Sequence, residues 1–524
     1  MENPSPTPPT RPGFFRRLFN WRRVRKVLFV LAALITLGAL LFTEEDWRGS
    51  RAWANYKRDM EAKGERFDMA RLIPPKVPDD QNFAMTPYFA PLFDLPPEVL
   101  RQPIKMVTNL DGSRTVDAAA LLQRGRNLLA TYVPVPDPLN LNPQDHPFTW
   151  PYAMAADLIG YANGCKTTNA GGDRVKIADP AQAASIILDH FKPCEPTLAE
   201  FRQAAARPYS QFNIPWEEWE NPHVGIAVTQ HLLVVKSSYQ LFSLHAEAEM
   251  VLGRTGQALD DLNVMFRIDE ALAGEPVLIS QLVRMIGLEM VLHPIGEGLL
   301  EQRWSEAQLQ VLQNRLQKTD PLASTIRALY GERDICVNPA FDRGYVTPRG
   351  WDRLEQLNVN RAFQEFVFPR IALAAREINP SVNHSIDQAF QKSYARDFSA
   401  YFHHKIISAM LIPALVKIVP EKAALAQSKV DLAMVACALE RCRLARGQYP
   451  EELKALVPDF AAVLPHDIIN GQPLKYRRSE KGRFILYSVG WNEKDDGGVI
   501  ATKGKPPRQD TEQGDWVWQY PEIP

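Results

Sequence analysis

VLFVLAALITLGALLFT, Val27 to Thr43, is the one long uncharged apolar run in the chain, and its reading decides how the rest is arranged. Seventeen residues at about 1.5 Å each make about 25 Å of helix, enough to cross a hydrocarbon core. Arg16, Arg17, Arg22, Arg23, Arg25 and Lys26 precede it, and Glu44, Glu45 and Asp46 follow. Basic flanks stay on the cytoplasmic side, so the N-terminus is expected inside and the long C-terminal part outside, at the inner (cytoplasmic) membrane. Phe14, Phe15, Phe19 and Trp21 sit among the arginines as interfacial anchors would. A cleaved signal peptide is the rival reading. No small-x-small cleavage site follows the run, which favours an uncleaved anchor. The bilayer, through residues 27–43, is therefore the first expected partner.

Working outward, the division expected is a basic, proline-rich cytoplasmic tail (1–26), the anchor (27–43), a mostly helical extracytoplasmic domain (44–427) and a small α+β module (428–524). The 524 residues are 45% hydrophobic and 23% charged, a globular composition. A net charge of −1 gives no global reason to expect nucleic acid. Proline (42 residues) clusters in the tail, in Ile73–Asp80, through Pro87–Pro103 and in Val133–Pro147. The last three mix with aromatics such as Phe83, Tyr88, Phe89 and Phe93, and read as extended segments lying on a core. Five cysteines cannot all pair. Cys437 and Cys442 are roughly 140° apart on a helix and should not bridge. Cys165 and Cys194, in loop-like sequence, are the best-placed pair, against an alternative of five free thiols. The absence of C-x-x-C argues against a zinc ribbon.

The fold class expected is mainly α: an irregular helical bundle or short solenoid behind one membrane helix. Glu45 to about Arg71 reads as a helix leaving the membrane, and Thr115–Tyr132 as another. Asp179-Pro180 is a start signal, as is Asp320-Pro321. Glu195–Ala206 is a short helix. His223–Leu252 reads as one helix or two, Gly253-Arg-Thr-Gly256 as a turn and Gln257–Ala273 as a helix; across that turn His245–Phe266 looks like one helical hairpin of the tetratricopeptide type, without a repeat at fixed period. Pro276–Leu300 is a further apolar helix with Pro294 inside it. Ser305 and Gln308 form a capping box, and Leu309, Leu312 and Leu316 give the buried stripe behind it. Tyr345–Gly350 reads as a loop. Breaks are expected near Asn379-Pro380, Pro413 and Pro420.

From Val430 the character changes. VDLAMVACALERCRLARG places Leu432, Val435, Ala436, Leu439 and Cys442 on one face, which makes Cys442 a core residue rather than a reactive thiol. Then come Gly447-Gln-Tyr449-Pro450, Leu453-Lys-Ala-Leu456-Val457, Pro465-His-Asp467, Gly471-Gln-Pro-Leu-Lys-Tyr476 and Tyr487-Ser-Val-Gly490, closed by WNEKDDGG. This ordered set, over the last fifth of the chain, resembles the globular head of type II secretion pseudopilins, the major pseudopilin especially. The whole chain is similar to large bacterial envelope proteins carrying such a tail. RRVRK stands where a pseudopilin has its G-F-T-L-x-E processing site, and about 390 residues separate the apolar run from the module. The resemblance implies a location and an architecture. It also implies calcium at the acidic loop, with Asn492, Glu493, Asp495 and Asp496 at the matching positions. Calcium wants six to eight oxygens, and VIATKGK supplies no later acidic ligand, so a solvated turn is the default there and no cofactor is expected.

One constellation invites a catalytic reading. His245 and Glu249 lie four apart on a helix, and His231, fourteen earlier, falls about 40° from His245 if the helix is continuous. Together they would make a His231, His245, Glu249 metal cluster; the plainer reading is hydrogen bonding on a helix surface. His403-His404 point about 100° apart and are poor co-ligands, one core and one exposed. Ser488 is an ordinary strand-end serine. HExxH, G-x-S-x-G, P-loop and G-x-G-x-x-G patterns do not occur. The sequence therefore favours a non-enzymatic, membrane-anchored scaffold or protein-interaction component of the bacterial envelope, with an unidentified protein partner. The alternatives are an accessory of a secretion or pilus-like machine, and an anchored hydrolase lacking a recognisable motif.

Overall fold

The apolar run and the charged stretch after it form a single helix, α1, Trp21–Ala62. In the computed structural model the described residues are 21–93, 106–108, 114–116, 154–164, 177–216, 231–342, 352–370, 377–394, 403–479, 482–504 and 508–518. Residues 1–20, most of Thr115–Tyr132, Val133–Pro147, Cys165 and Tyr345–Gly350 fall outside them. The apolar part of α1 is long and apolar enough to cross a membrane, and none of it is buried against the protein. Val27, Phe29 and Leu40 stand open on its surface, as side chains meant for lipid would.

After α1 come four short 3-10 turns between Met69 and Leu92. Where extended strapping was expected, these turns carry Phe83, Phe89 and Leu92 into the interior. β1 (Met106–Thr108) and β2 (Arg114–Val116) pair antiparallel, so Thr115 and Val116 lie in a strand rather than in the helix expected there. α2 (Met154–Gly164), α3 (Pro180–Phe191) and α4 (Glu195–Ala204) follow. α3 begins as the sequence signals. Pro180 sits in the first turn, and the Asp179 carboxylate accepts the Gln182 amide, satisfying a donor that the helix itself cannot.

α5 (His231–Val251) and α6 (Thr255–Ala273) are the expected hairpin, turning at Gly253. α7 (Leu278–Leu300) keeps Pro294 within it. It is apolar enough to pass for a second span, yet two thirds of it is buried, and it carries Gln281 and Arg284 inward; it is a core helix. α8 (Glu306–Lys318) opens on the capping box, both halves present. α9 (Pro321–Gly331) is capped by Asp320. It runs into a π-helical turn, Glu332–Val337, and α10 (Asn338–Asp342). α11 (Asp352–Ala362) and α12 (Pro380–Ser393, capped by Asn379) lead to α13.

α13 spans Ile406–Arg446 without interruption. The breaks expected at Pro413 and Pro420 do not occur, and the boundary drawn at 427/428 falls inside this helix. Each proline removes an i→i−4 bond at about 3 kcal/mol. Tertiary packing outweighs that: Ile412, Leu415, Val416, Val419 and Ala423 are all buried along this stretch. The first free amides of α13, Ile406 and Ile407, donate to the two oxygens of Glu355 at 3.0 and 3.1 Å.

Behind α13 lie β3 (Lys475–Arg478), β4 (Phe484–Ser488), β5 (Ile500–Lys503), β6 (Arg508–Gly514) and β7 (Trp516–Trp518). β4 is central in the antiparallel sheet β3-β4-β7, and β5 and β6 form a separate hairpin. Pairs such as Tyr476 with Leu486 and Ser488 with Trp516 set the register. Gly490, at φ +70°, lies so close to Gly514 that a Cβ would come within 2.3 Å of the Gly514 carbonyl oxygen, so the last glycine of YSVG is a steric necessity.

The strands do not form a walled-off domain. Leu474, Phe484 and Leu486 join a first core built from α4 to α8 and the second half of α13. Ile468, Val489 and Trp516 join a second core with α9, α11, α12 and the first half of α13. A third, smaller core holds α2 and α3 against Ala248 of α5. Cys194, Cys437 and Cys442 are buried free thiols and Cys336 is a half-buried one.

α1 packs against this body along α11. Gly49 is buried where a Cβ would sit 3.1 Å from Arg353 Cβ, and the Arg361 guanidinium lies over Tyr56. α11 therefore runs alongside α1 in the same direction. Just beyond α1, the fully buried Arg333 guanidinium sits among the rings of Phe67, Phe368 and Tyr330 at 4.6, 5.0 and 5.5 Å. It donates to Glu65 Oε1 at 2.9 Å and to the Arg66 carbonyl at 3.0 Å, and pairs with Asp334 at 2.7 Å.

Candidate functional site

The structure does not bring His231, His245 and Glu249 together. They share α5, but fourteen residues of rise hold the two imidazoles about 21 Å apart along it, so a shared face is not a shared site. Among the described residues no group of three or more His, Cys, Asp or Glu side chains is gathered to hold a metal.

Each of the three has its own partners. His231 Nε2 meets Glu275 Oε1 at 2.9 Å, and Ser280 Oγ donates to the other oxygen of the same carboxylate. A serine hydrolase needs the imidazole between serine and carboxylate. Here the carboxylate is in the middle, between the serine hydroxyl and the imidazole, so this is not the serine–imidazole–carboxylate order of a triad. Phe93 and Phe212 pack against the His231 ring. His245 Nδ1 is 2.7 Å from Asp261 Oδ2, and Arg202 Nε donates to Asp261 Oδ1 at 2.8 Å. Arg202 also reaches Glu195 at 2.7 Å. Glu249 takes a 3.3 Å bond from Arg254. Asp261, Arg202 and Glu195 come from α6 and α4, and no spacing around His245 points to them.

His404 is buried and His403 exposed, as expected of that pair. His404 Nε2 lies 3.6 Å from Glu45 Oε2, so the turn before α13 touches α1 just past the apolar run. Burial pushes the His404 imidazole below its ordinary range, against the pull of Glu45.

The acidic loop after β4 is stitched to itself and to its neighbours. Asn492 Nδ2 donates to Asp496 at 2.8 Å. Asp495 accepts from the Tyr487 hydroxyl at 2.9 Å and the Gly497 amide at 3.1 Å, and lies 3.1 Å from Lys475 Nζ. Glu493 turns away to Ser381. Asp515 closes the loop, its two carboxylate oxygens accepting the amides of Asp496 at 3.2 Å and Gly498 at 2.6 Å. Asp515 is buried, and burial raises its carboxyl. Sequence reasoning stopped at Lys505 and missed it, because it arrives only after the β5-β6 hairpin.

Asp467 plays the same part on the other side of β4. It accepts Ser488 Oγ at 2.8 Å, Val489 N at 2.9 Å and Ile469 N at 3.0 Å. The Pro-His-Asp and Tyr-Ser-Val-Gly pieces are thus one hydrogen-bonded unit, and Ser488 is structural. Tyr449 of the Gly-Gln-Tyr-Pro piece donates to Glu440 on α13 at 2.6 Å.

At the seam between helices and module lies an open groove of about 310 Å³. Gln427, Asp431 and Met434 of α13 form its floor, and Leu316 and Asp320 form one wall. The other wall is the Val463-Leu464-Pro465 loop. A narrower pocket continues it along α13 past Val435 to Ala438. The loop wall is pinned at both ends. Phe460 O accepts from Gln313 at 2.8 Å and Arg441 at 3.3 Å, and Asp467 is held as described above. No family model matches the chain, and neither does any curated protein or solved structure.

Proposed function

We propose that this protein is a membrane-anchored scaffold or interaction component of the bacterial envelope, held by residues 27–43 with its N-terminus in the cytoplasm and its bulk outside. One observation carries this reading: among the described residues, deeply buried ionisable groups are tied to structural partners instead of converging on a cleft. Asp261, Asp269, Glu275, Asp334, Glu440, Asp467 and Asp515 are each buried and each engaged by an arginine, histidine, tyrosine, serine or backbone amide. A catalytic cleft gathers such groups with perturbed acidity around one open position.

The accessory reading, a component of a secretion or pilus-like machine, draws support from the ordered pieces of the C-terminal module and the way Asp467 and Tyr449 join them. The hydrolase reading draws support from the oriented Asp261–His245 pair alone.

Cross-linking in native membranes, followed by solubilisation, affinity purification and mass spectrometry, tests the proposal. A reproducible envelope partner is expected. Secretion or pilus components would bring the accessory reading forward. Recovery of the protein alone, with hydrolytic turnover abolished by His245→Gln, would overturn the scaffold reading.

A further inference from the structure

We propose that Trp47 and Arg51 form a phospholipid headgroup site on α1, with the indole at the edge of the hydrocarbon and the guanidinium on a lipid phosphate of the leaflet beside the body. The site rests on the membrane-anchored arrangement proposed above and adds to it a lipid contact beyond the apolar run.

Position is the first argument. Trp47 lies four residues past Thr43, about 6 Å along the helix. The headgroup layer between hydrocarbon and water is about 5–7 Å deep on each side. The indole therefore falls in the zone where tryptophan is enriched.

Exposure is the second. Trp47 is two residues from Gly49, about 200° around the axis, so it faces away from α11. It is 61% exposed. Among the described residues its only ring or cation contact is the Arg51 guanidinium, 5.5 Å from the ring centroid. An indole in this state buries little of its apolar area in the fold, whereas a headgroup layer accommodates both its ring and its N–H.

The guanidinium supplies the third. Side chains on a helix tilt toward its N-terminus, which is the bilayer end of α1. Arg51 reaches back in that direction to lie over Trp47, the snorkelling arrangement of a cation at a membrane edge. Arg48, one position round the helix, donates to both oxygens of Glu45 at 2.6 Å. Arg51 is exposed and makes no ion pair among the described residues. A guanidinium stacked on an aromatic ring keeps its N–H fork open to a phosphate. Glu44 is exposed on the same face, and its charge suits a zwitterionic headgroup over a net anionic one.

The test uses the full chain, grown with fluorotryptophan and placed in phosphatidylcholine nanodiscs. Fluorine NMR reads the Trp47 resonance, assigned from Trp47→Phe. A nitroxide on the lipid headgroup should relax that resonance strongly, and a soluble relaxation agent only weakly. Arg51→Gln, at an exposed position and checked for folding by its thermal melt, should cut the headgroup effect by about twofold. A bilayer of betaine lipids, which carry no phosphate, should cut it equally in wild type and add nothing to Arg51→Gln. A headgroup effect unchanged by either alteration would overturn the phosphate contact. Full recovery in betaine lipid on adding inorganic phosphate would assign the guanidinium to an ion from solution and overturn the lipid site. A fluorinated phenylalanine at Leu37 separates this proposal from the anchor. If an acyl-chain nitroxide relaxes the Leu37 probe while Trp47 responds to the soluble agent alone, the anchor stands and the headgroup site falls. If the Leu37 probe is untouched, both fall.

Discussion

Arg333 shows how a single side chain organises this protein. Its charge is removed from water, matched to Asp334 and Glu65, and covered by three rings. Replacing it with alanine leaves Asp334 buried beside only the more distant Arg71, at 3.4 Å. Breaking one side of such a pair costs about 3–5 kcal/mol, so Arg333→Ala should lower the urea midpoint sharply. An unchanged midpoint would mean that Arg71 moves in to replace it. Asp515 is the counterpart in the acidic loop. Asp515→Ala removes two charge-assisted acceptors and should destabilise the loop by about 1.5–3 kcal/mol, read as new proteolytic cleavage between Trp491 and Gly498. His404 sets a pH dependence. Its imidazole is held low by burial, so the native state binds its proton less readily than the unfolded chain does. The stability this contributes is present above the ordinary imidazole value of about 6.5 and is lost as pH falls below it. Hydrogen exchange of residues 403–410, corrected for intrinsic rates, should therefore rise between pH 7 and pH 5 in wild type. It should rise less in His404→Gln.

At the level of elements, helix starts were the most legible feature, because their signal is local. Asp179, Ser305 and Asp320 each precede the first turn and cap it as their chemistry suggests; Asn379, read as a break, caps α12 in the same way. The stripe behind Ser305 is buried as its spacing indicates. α13 was misread for the complementary reason. Pro413 and Pro420 carry strong local break signals, whereas the packing that overrides them comes from α9, α11, α12 and β7, far away in sequence. The same limit hid Asp261 from His245 and Asp515 from the acidic loop: a partner delivered by folding leaves no trace in neighbouring residues. The local signal still has an energy. Pro413 is only half-buried, so Pro413→Ala should restore the missing amide bond and raise stability by about 1–3 kcal/mol, measured as a higher urea midpoint. A neutral or destabilising result would mean that α13 is bent to suit the ring.

For the whole molecule, the division at Thr43 and the division at 427 predict opposite outcomes. Residues 27–41 are not buried against the described residues, so a chain beginning at Glu44 should be soluble and show the same near-UV circular dichroism as the intact protein. Residues 44–427 alone should fail that test and bind a hydrophobic dye. They lose half of α13 and every module side chain that fills the two cores. The hairpin of α5 and α6, the mainly helical body and the late strands were all visible in sequence pattern; that they share cores was not, since patterning reports which face is buried and not against what.

The unbroken course of α1 has a mechanical meaning. The helix that carries the apolar run is the rod against which α11 lies at Gly49, so in the membrane-anchored arrangement proposed above the body follows the tilt of the span. Spans lean when the hydrocarbon layer is thinner than they are long. Ala62 lies nineteen residues beyond Thr43, about 28 Å along the axis. A lean of about 20° would carry it sideways by about 10 Å. In that arrangement the thickness of the lipid would set the attitude at which the body faces its surroundings, as a keel sets the lean of a mast.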